Sequence, residues 1–280
     1  MRRWLSVLFI VVCATSCSFL WIGLHYIDWL VVREVAQTFN LTSTQKRELQ
    51  RVVKSHLPWL RQELSPRLLL ALNELNVRWL NGIDERDAQW FFDRTRSLRV
   101  ELAEHMIEDL APIATVIKPD QLGYAAKKFG KKNEKWSDLL ELTDQKLEYK
   151  RRQMLRESAE NWYGEITELQ EDALCTIFGC RRSDIVRMLE YSLDWQGGLL
   201  GLLRDVSEPK VFNEIVKTWS REPVLMLPPL KRNTWLQYQN DGPKRLANFD
   251  LLMSEAQRAN ARKKLQKYSD DLAWFVAQVD

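Results

Sequence analysis

The chain has 280 residues, 45% of them hydrophobic and 28% charged, so it can bury a sizeable core and is too apolar to be disordered. With 41 basic against 38 acidic side chains, a formal charge of +3, it has no general drive toward nucleic acid. Only 10 Gly and 9 Pro argue against an all-β chain, which needs many turns.

The first element is an export segment. Arg2 and Arg3 precede an apolar run, Trp4 to Val12, and the small residues Ala14-Thr15-Ser16 then lead to Cys17. Charge, apolar centre and small residues in that order are the parts of a signal peptide. The box before Cys17 is similar to the bacterial lipobox, with Ala14 where a leucine is usual. In that chemistry the Cys17 thiol takes a diacylglycerol, the peptidase cuts beside small side chains, and the new amine is acylated. Ser18, rather than Asp, resembles the signal for the outer membrane. Cleavage would remove Arg2 and Arg3 and leave 39 basic against 38 acidic residues. The alternative is an uncleaved inner-membrane anchor: Trp4 through Leu24, as a helix, is about 31 Å long, enough to cross a bilayer.

Beyond Cys17 the pattern is helical almost throughout. Leu20, Leu24, Ile27, Val31 and Val35 form a stripe, widened by Trp21 and Trp29, that belongs to the core or lies against lipid. Thr42 with Gln45 is a capping box opening a helix with Leu49, Val52, Val53 and Leu57 on its face. Pro58 should kink or restart that helix. Pro66 opens the next, which stops at Asn81-Gly82. Asp84 can cap a long helix to about Leu110. Pro112 and Pro119 bracket a connection, and a lysine-rich helix follows from Gln121, a charge run that reads first as a solvated face.

A second half begins near Leu142 with a helix ending at Tyr163-Gly164. Thr167 with Gln170 repeats the capping box, and that helix ends at Gly179. Helices are expected at 183–204 and 208–221, with Gly197-Gly198 marking a close crossing or a break. Pro223, Pro228 and Pro229 make the linker-like patch, near 222–230. Ser254 with Gln257 caps the last helix, whose stripe Ala261, Leu265, Tyr268, Leu272, Phe275, Val279 should pack on a partner helix. The pattern apolar–x–x–x–Gln thus recurs at Leu41/Gln45, Ile117/Gln121, Ile166/Gln170 and Met253/Gln257. Its unequal spacing excludes a solenoid and is explained by four helix starts using one kind of cap.

Cys175 and Cys180 are the pair left in the mature chain. If Gly179 takes the left-handed position of a Schellman cap, residues five apart approach, within reach of a disulfide; the alternative is two buried thiols. Catalytic motifs are missing. His25, His56 and His105 do not pair at i, i+3 or i+4, and His105 with Glu108 or Asp109 is at most half a metal site. No phosphate-cradling glycine loop and no nucleophile elbow occur. The expectation is no catalytic residues, no metal and no cofactor.

The chain resembles an uncharacterised family of Gram-negative bacterial lipoproteins, carried as domain of unknown function 6279. The resemblance rests on Cys17, Tyr26-Ile27-Asp28-Trp29-Leu30, Trp59-x-Arg61-x-Glu63-Leu64 with Pro66, Gln121 with Phe129 and Asn133, and Trp162-x-Gly164 leading to Thr167 and Gln170. A histidine usual after the tryptophan is Leu60 here. The Leu-Thr-x-x-Gln at 41–45, varied at 166–170, is also similar to the motif of small helical periplasmic chaperones and stress sensors.

The expectation is an all-α, multi-helix bundle of long helices, elongated or compact. Residues 1–16 are a signal peptide and 17–280 a periplasmic domain, with a sub-boundary near 140. Cys17 tethers it to the inner leaflet of the outer membrane. It acts as a non-enzymatic partner of envelope proteins, with an ATP-independent holdase or stress sensor for unfolded polypeptide as the alternative. A glycan-acting enzyme is the weaker one. No nucleic-acid partner is expected.

Overall fold

The structure, a computed structural model, describes Leu24 and residues 26–278. Cys17 with its apolar run, His25 and Val279 lie outside the described residues. Every regular element among the described residues is a helix, so the all-α, multi-helix expectation holds. None of these helices is long and apolar enough to cross a membrane.

Helix α1 (Ile27–Phe39) ends on Asn40, whose left-handed backbone (φ 49°) turns the chain into α2 (Ser43–Trp59). Pro58 interrupts α2 less than expected. It has no N–H for the carbonyl four residues back. The chain then widens into a π-helical turn, Leu60–Leu64, where Ser65 N–H donates to the Leu60 carbonyl, and runs on into α3 (Ser65–Arg78). A 3-10 turn, Trp79–Asn81, and Gly82 lead to α4 (Glu85–Ala114). Pro112 lies inside the last turn of α4, beyond the expected end at Leu110. The carbonyl it leaves without a donor is that of Glu108, an exposed residue that water can serve.

The rest follows the caps closely: α5 (Pro119–Leu140), α6 (Asp144–Tyr163), α7 (Glu168–Phe178), α8 (Arg182–Asp205) and α9 (Pro209–Arg221). Helices α10 (Pro229–Asn240), α11 (Gly242–Asp250) and α12 (Glu255–Ala277) complete the chain. Gly197 and Gly198 do not break α8. A Cβ on Gly198 would stand 2.4 Å from the Met226 carbonyl oxygen, so this glycine permits the close crossing with the 3-10 turn Pro223–Met226. The proline-rich stretch near 222–230 is accordingly packed, and Leu227 is buried within it.

Two main cores result. One gathers Leu72, Leu75, Ile166, Leu174, Leu265 and Phe275 from α3, α7, α12 and their turns, and includes Leu24. The other gathers Phe39, Ile107, Ala111, Phe129 and Phe212, and continues into Val32, Val52 and Val53. Helix α4, with 30 residues or about 45 Å, carries Ala88 in the first core and Ala111 in the second. The α12 stripe from Ala261 to Phe275 is buried against α3 and α6, within the chain. Each such fully buried Leu or Phe contributes about 1.5–3 kcal/mol.

Candidate functional site

The capping glutamines do more than cap. Gln45 and Gln121 exchange amide hydrogen bonds: Gln121 Nε2 donates to Gln45 Oε1 (2.9 Å) and Gln45 Nε2 to Gln121 Oε1 (3.3 Å). Gln170 and Gln257 do the same at 2.8 and 2.9 Å. Each Oε1 also accepts the backbone N–H of its own cap residue: Thr42, Lys118, Thr167 and Ser254. Each Nε2 also donates to the carbonyl five residues before the partner glutamine: Val116, Asn40, Leu252 and Glu165. Every clasp therefore has local two-fold character and locks two helix-turn-helix hairpins together. Lys118 departs from the pattern, because it has no side-chain oxygen to accept from Gln121; Pro119 at the first helical position leaves one fewer N–H to satisfy.

The second clasp stands at the end of the core that holds a cavity. That cavity, of about 340 Å³, lies between α3, α4, α6, α7, α11 and α12. Its walls are Leu75, Trp79, Ile83, Ala88, Phe91, Phe92, Leu155, Trp162, Tyr163, Leu174, Phe178, Leu246, Phe249 and Leu265, with Ser158 and Ala159 on α6. Behind the Trp79 and Tyr163 rings sits Asp250, fully buried. One carboxylate oxygen accepts from Trp79 Nε1 (2.8 Å) and, more weakly, from the Tyr163 hydroxyl (3.4 Å). The other accepts from the Ile83 N–H (2.8 Å) and from Arg258 Nε (3.2 Å), so the buried charge is both hydrogen-bonded and paired. Burial, reinforced by the neighbouring Asp250 carboxylate, pushes the Tyr163 hydroxyl well above its ordinary value, and it stays a neutral donor. Gly82 (φ 97°) is required beside this carboxylate, since a Cβ there would come within 3.1 Å of Asp250 Oδ2.

The cysteine pair braces one wall. Cys175 and Cys180 have Cα atoms 5.0 Å apart with their sulfurs at disulfide distance. Gly179 between them has the expected positive φ (83°), but its ψ of 124° is extended rather than left-handed helical, so the turn is not a full Schellman cap. Gly179 N–H donates to the Cys175 carbonyl (3.0 Å), and Arg151 Nε on α6 donates to the Gly179 carbonyl (3.2 Å). Phe178, next to this joint, faces the cavity.

A second cluster lies where α2 meets α4. His56 and His105 have ring centroids 4.9 Å apart, and Trp59 stacks on His105 at 3.7 Å. His56 Nε2 lies 2.9 Å from Asp109 Oδ2, and the Glu101 carboxylate, also near His105, pairs with Arg67. Desolvation, followed by the His56 charge, lowers the His105 pKa; Asp109 and Glu101 oppose that shift. A search along single helices misses this pair, because the partners come from different helices. No group of three or more His, Cys, Asp or Glu among the described residues is placed to hold a metal ion.

The molecule is thus an all-helical protein with an apolar cavity held between clasped hairpins. A family of unknown function, DUF6279, matches residues 37–224, and the chain belongs to that family. Comparison with curated proteins and with solved structures gives no match. The matched stretch carries Gln45, Gln121, Gln170, both histidines of the cluster, the cysteine pair and the cavity walls from Leu75 to Phe178.

Proposed function

We propose that the protein is a non-enzymatic binding protein of the bacterial envelope that holds an apolar group of its partner in the cavity walled by Trp79 and Tyr163. The observation that carries this reading is the lining, in which the polar tips of Trp79 and Tyr163 are both spent on Asp250. Apart from Ser158 and the Trp162 indole, what remains is hydrocarbon and aromatic surface, suited to taking apolar matter out of water. The address proposed with it is the periplasmic face of the outer membrane, through lipid on Cys17. The basic, apolar and small-residue order before Cys17 supports it, and a cysteine pair at disulfide distance suits an oxidising compartment.

The experiment is crosslinking in cells from a photoreactive residue at Leu155, on the cavity wall, against one at exposed Leu230, far along the chain. Adducts specific to Leu155 are expected, and equal labelling from both positions would end the reading. Fatty-acid labelling that is lost in Cys17→Ala checks the anchor separately.

A holdase is the second reading, favoured by exposed apolar residues beside the cavity core, among them Val77, Leu80, Leu251 and Leu252. It requires that the protein, without ATP, suppress the aggregation of an unfolded client.

A further inference from the structure

We propose that the cavity seats a single aliphatic chain, the fatty-acyl tail of a membrane lipid, with the lipid's polar head left outside. This deepens the binding function proposed above and rests on it.

Three observations select an acyl tail over other apolar matter. The first is chemical. Trp79 Nε1 and the Tyr163 hydroxyl point away from the cavity onto Asp250. A polar group carried inside would lose its water partners for little return, at a cost of about 1–3 kcal/mol on protein scales. An entering peptide would also strand its backbone N–H and C=O groups. The occupant is therefore the hydrocarbon end of something.

The second is size. A cavity of about 150 Å³ lined by Leu, Ile and Phe already holds a benzene ring. This one, at about 340 Å³, has more than twice that room, so one Leu or Phe side chain from a partner would leave much of it empty. A chain of methylenes can fill it, because each torsion lets the tail follow an irregular wall.

The third is place. Leu24 is buried in the same core as Leu75 and Trp79 of the cavity wall. Leu24 lies seven positions after Cys17, so the chain spans at most about 25 Å between them. Whether the membrane is held by lipid on Cys17 or by the apolar run before it, the cavity's core sits within that tether of the bilayer. Exposed apolar residues continue outward from the lining: Phe92 on the wall itself, Leu80 next to Trp79, and Leu251 next to Asp250. Of these, Phe92 both lines the cavity and reaches the surface, so the apolar lining opens outward there.

The test uses the full-length chain with Cys17→Ala, purified in digitonin, a rigid steroid detergent, and cis-parinaric acid, a fatty acid fluorescent through its own hydrocarbon chain, as the probe. Saturable one-to-one binding is expected, with displacement by saturated fatty acids. Each added methylene in the competitor should tighten displacement about three- to fourfold until the cavity is full. Ala159→Phe, which fills the cavity, should abolish binding. Leu155→Ala, which enlarges it, should move the best competitor to a longer chain; that second variant decides the matter should Ala159→Phe fail to fold.

Displacement by apolar peptides or by N-acetyl-phenylalaninamide, but not by fatty acids, would overturn the acyl tail and leave the binding reading standing. No binding of any apolar probe would overturn both. If the wild-type chain, with lipid on Cys17, excludes the probe that Cys17→Ala accepts, the protein's own tail is the occupant, and a free membrane lipid is overturned as the source.

Discussion

The two glutamine clasps use the same bonds in different surroundings. Around Gln45 and Gln121 the joint opens to solvent on the Gln45 side, one cap lacks its hydroxyl, and the core beneath is Phe39, Ala111 and Phe129. Around Gln170 and Gln257 both amides are buried, both caps, Thr167 and Ser254, are complete, and the adjoining core contains the cavity. The difference has a physical reading. A cavity forfeits the dispersion contacts that would fill it, so the helices around it need directional bonds to hold their spacing. The completed clasp, the Asp250 network and the cysteine joint supply these.

The largest expected effect tests that reading at Asp250. Asp250→Ala removes the acceptor for Trp79, Ile83, Tyr163 and Arg258 together. The loss should be about 3–5 kcal/mol, the scale for breaking a buried pair. Urea unfolding followed by tryptophan fluorescence measures it, and a loss under about 1 kcal/mol would mean the network is ornamental to the fold. Next comes the cysteine joint. A disulfide closing so short a loop sits at the low end of the usual range, about 2 kcal/mol. Denaturation with and without reductant gives the value. A thiol count on denatured, unreduced protein that finds both cysteines free would remove the brace altogether.

Much of this frame was legible in the chain, for reasons that vary by element. Helix starts at Thr42, Thr167 and Ser254 could be read because a cap is a local affair, three residues long. The stops at Gly164 and Gly179 could be read because positive φ favours glycine, and both have it. The cysteine approach was read from a Schellman cap at Gly179; the pair does approach, although the turn is not a full Schellman cap. The clasps were not legible, since the partner amides are 76 and 87 residues away. The recurrence of apolar–x–x–x–Gln was their signal, and local capping accounted for it too easily. The cavity was hidden for another reason: an apolar stripe looks the same whether it fills space or borders it. Asp250 was one carboxylate among 38 acidic residues, with no spacing to mark it.

The clasps can be compared directly. Gln257→Leu strands part of the buried Gln170 amide and should cost about 1–3 kcal/mol. Gln45→Leu leaves Gln121 bonded to the Asn40 carbonyl, with solvent nearby, and should cost about 0.5–1.5 kcal/mol. In each pair the double replacement should cost less than the sum of the singles, because the second removes a group already stranded. Equal costs at the two clasps would remove the distinction between them.

The smallest effect separates the two ends by pH. His105 is the histidine with a lowered pKa beside the α2–α4 contact, and no histidine among the described residues lines the cavity. Its native value lies below the ordinary 6.5, so as pH falls through 6.5 the unfolded chain takes up the proton first. Stability should therefore decline from about pH 6.5 downward and level off once the native His105 is protonated as well. His56 adds to the decline by repulsion, while Asp109 and Glu101 restrain it. The decline should be modest, because His105 is largely exposed and solvent screens it. His105→Gln should flatten the melting temperature between pH 7.5 and 5.5, and hydrogen exchange should place the acid-sensitive opening in α2 and α4 rather than around Gln257. If the His105→Gln slope matches the wild type, the histidine pair does not set it, and the carboxylates elsewhere on the surface must.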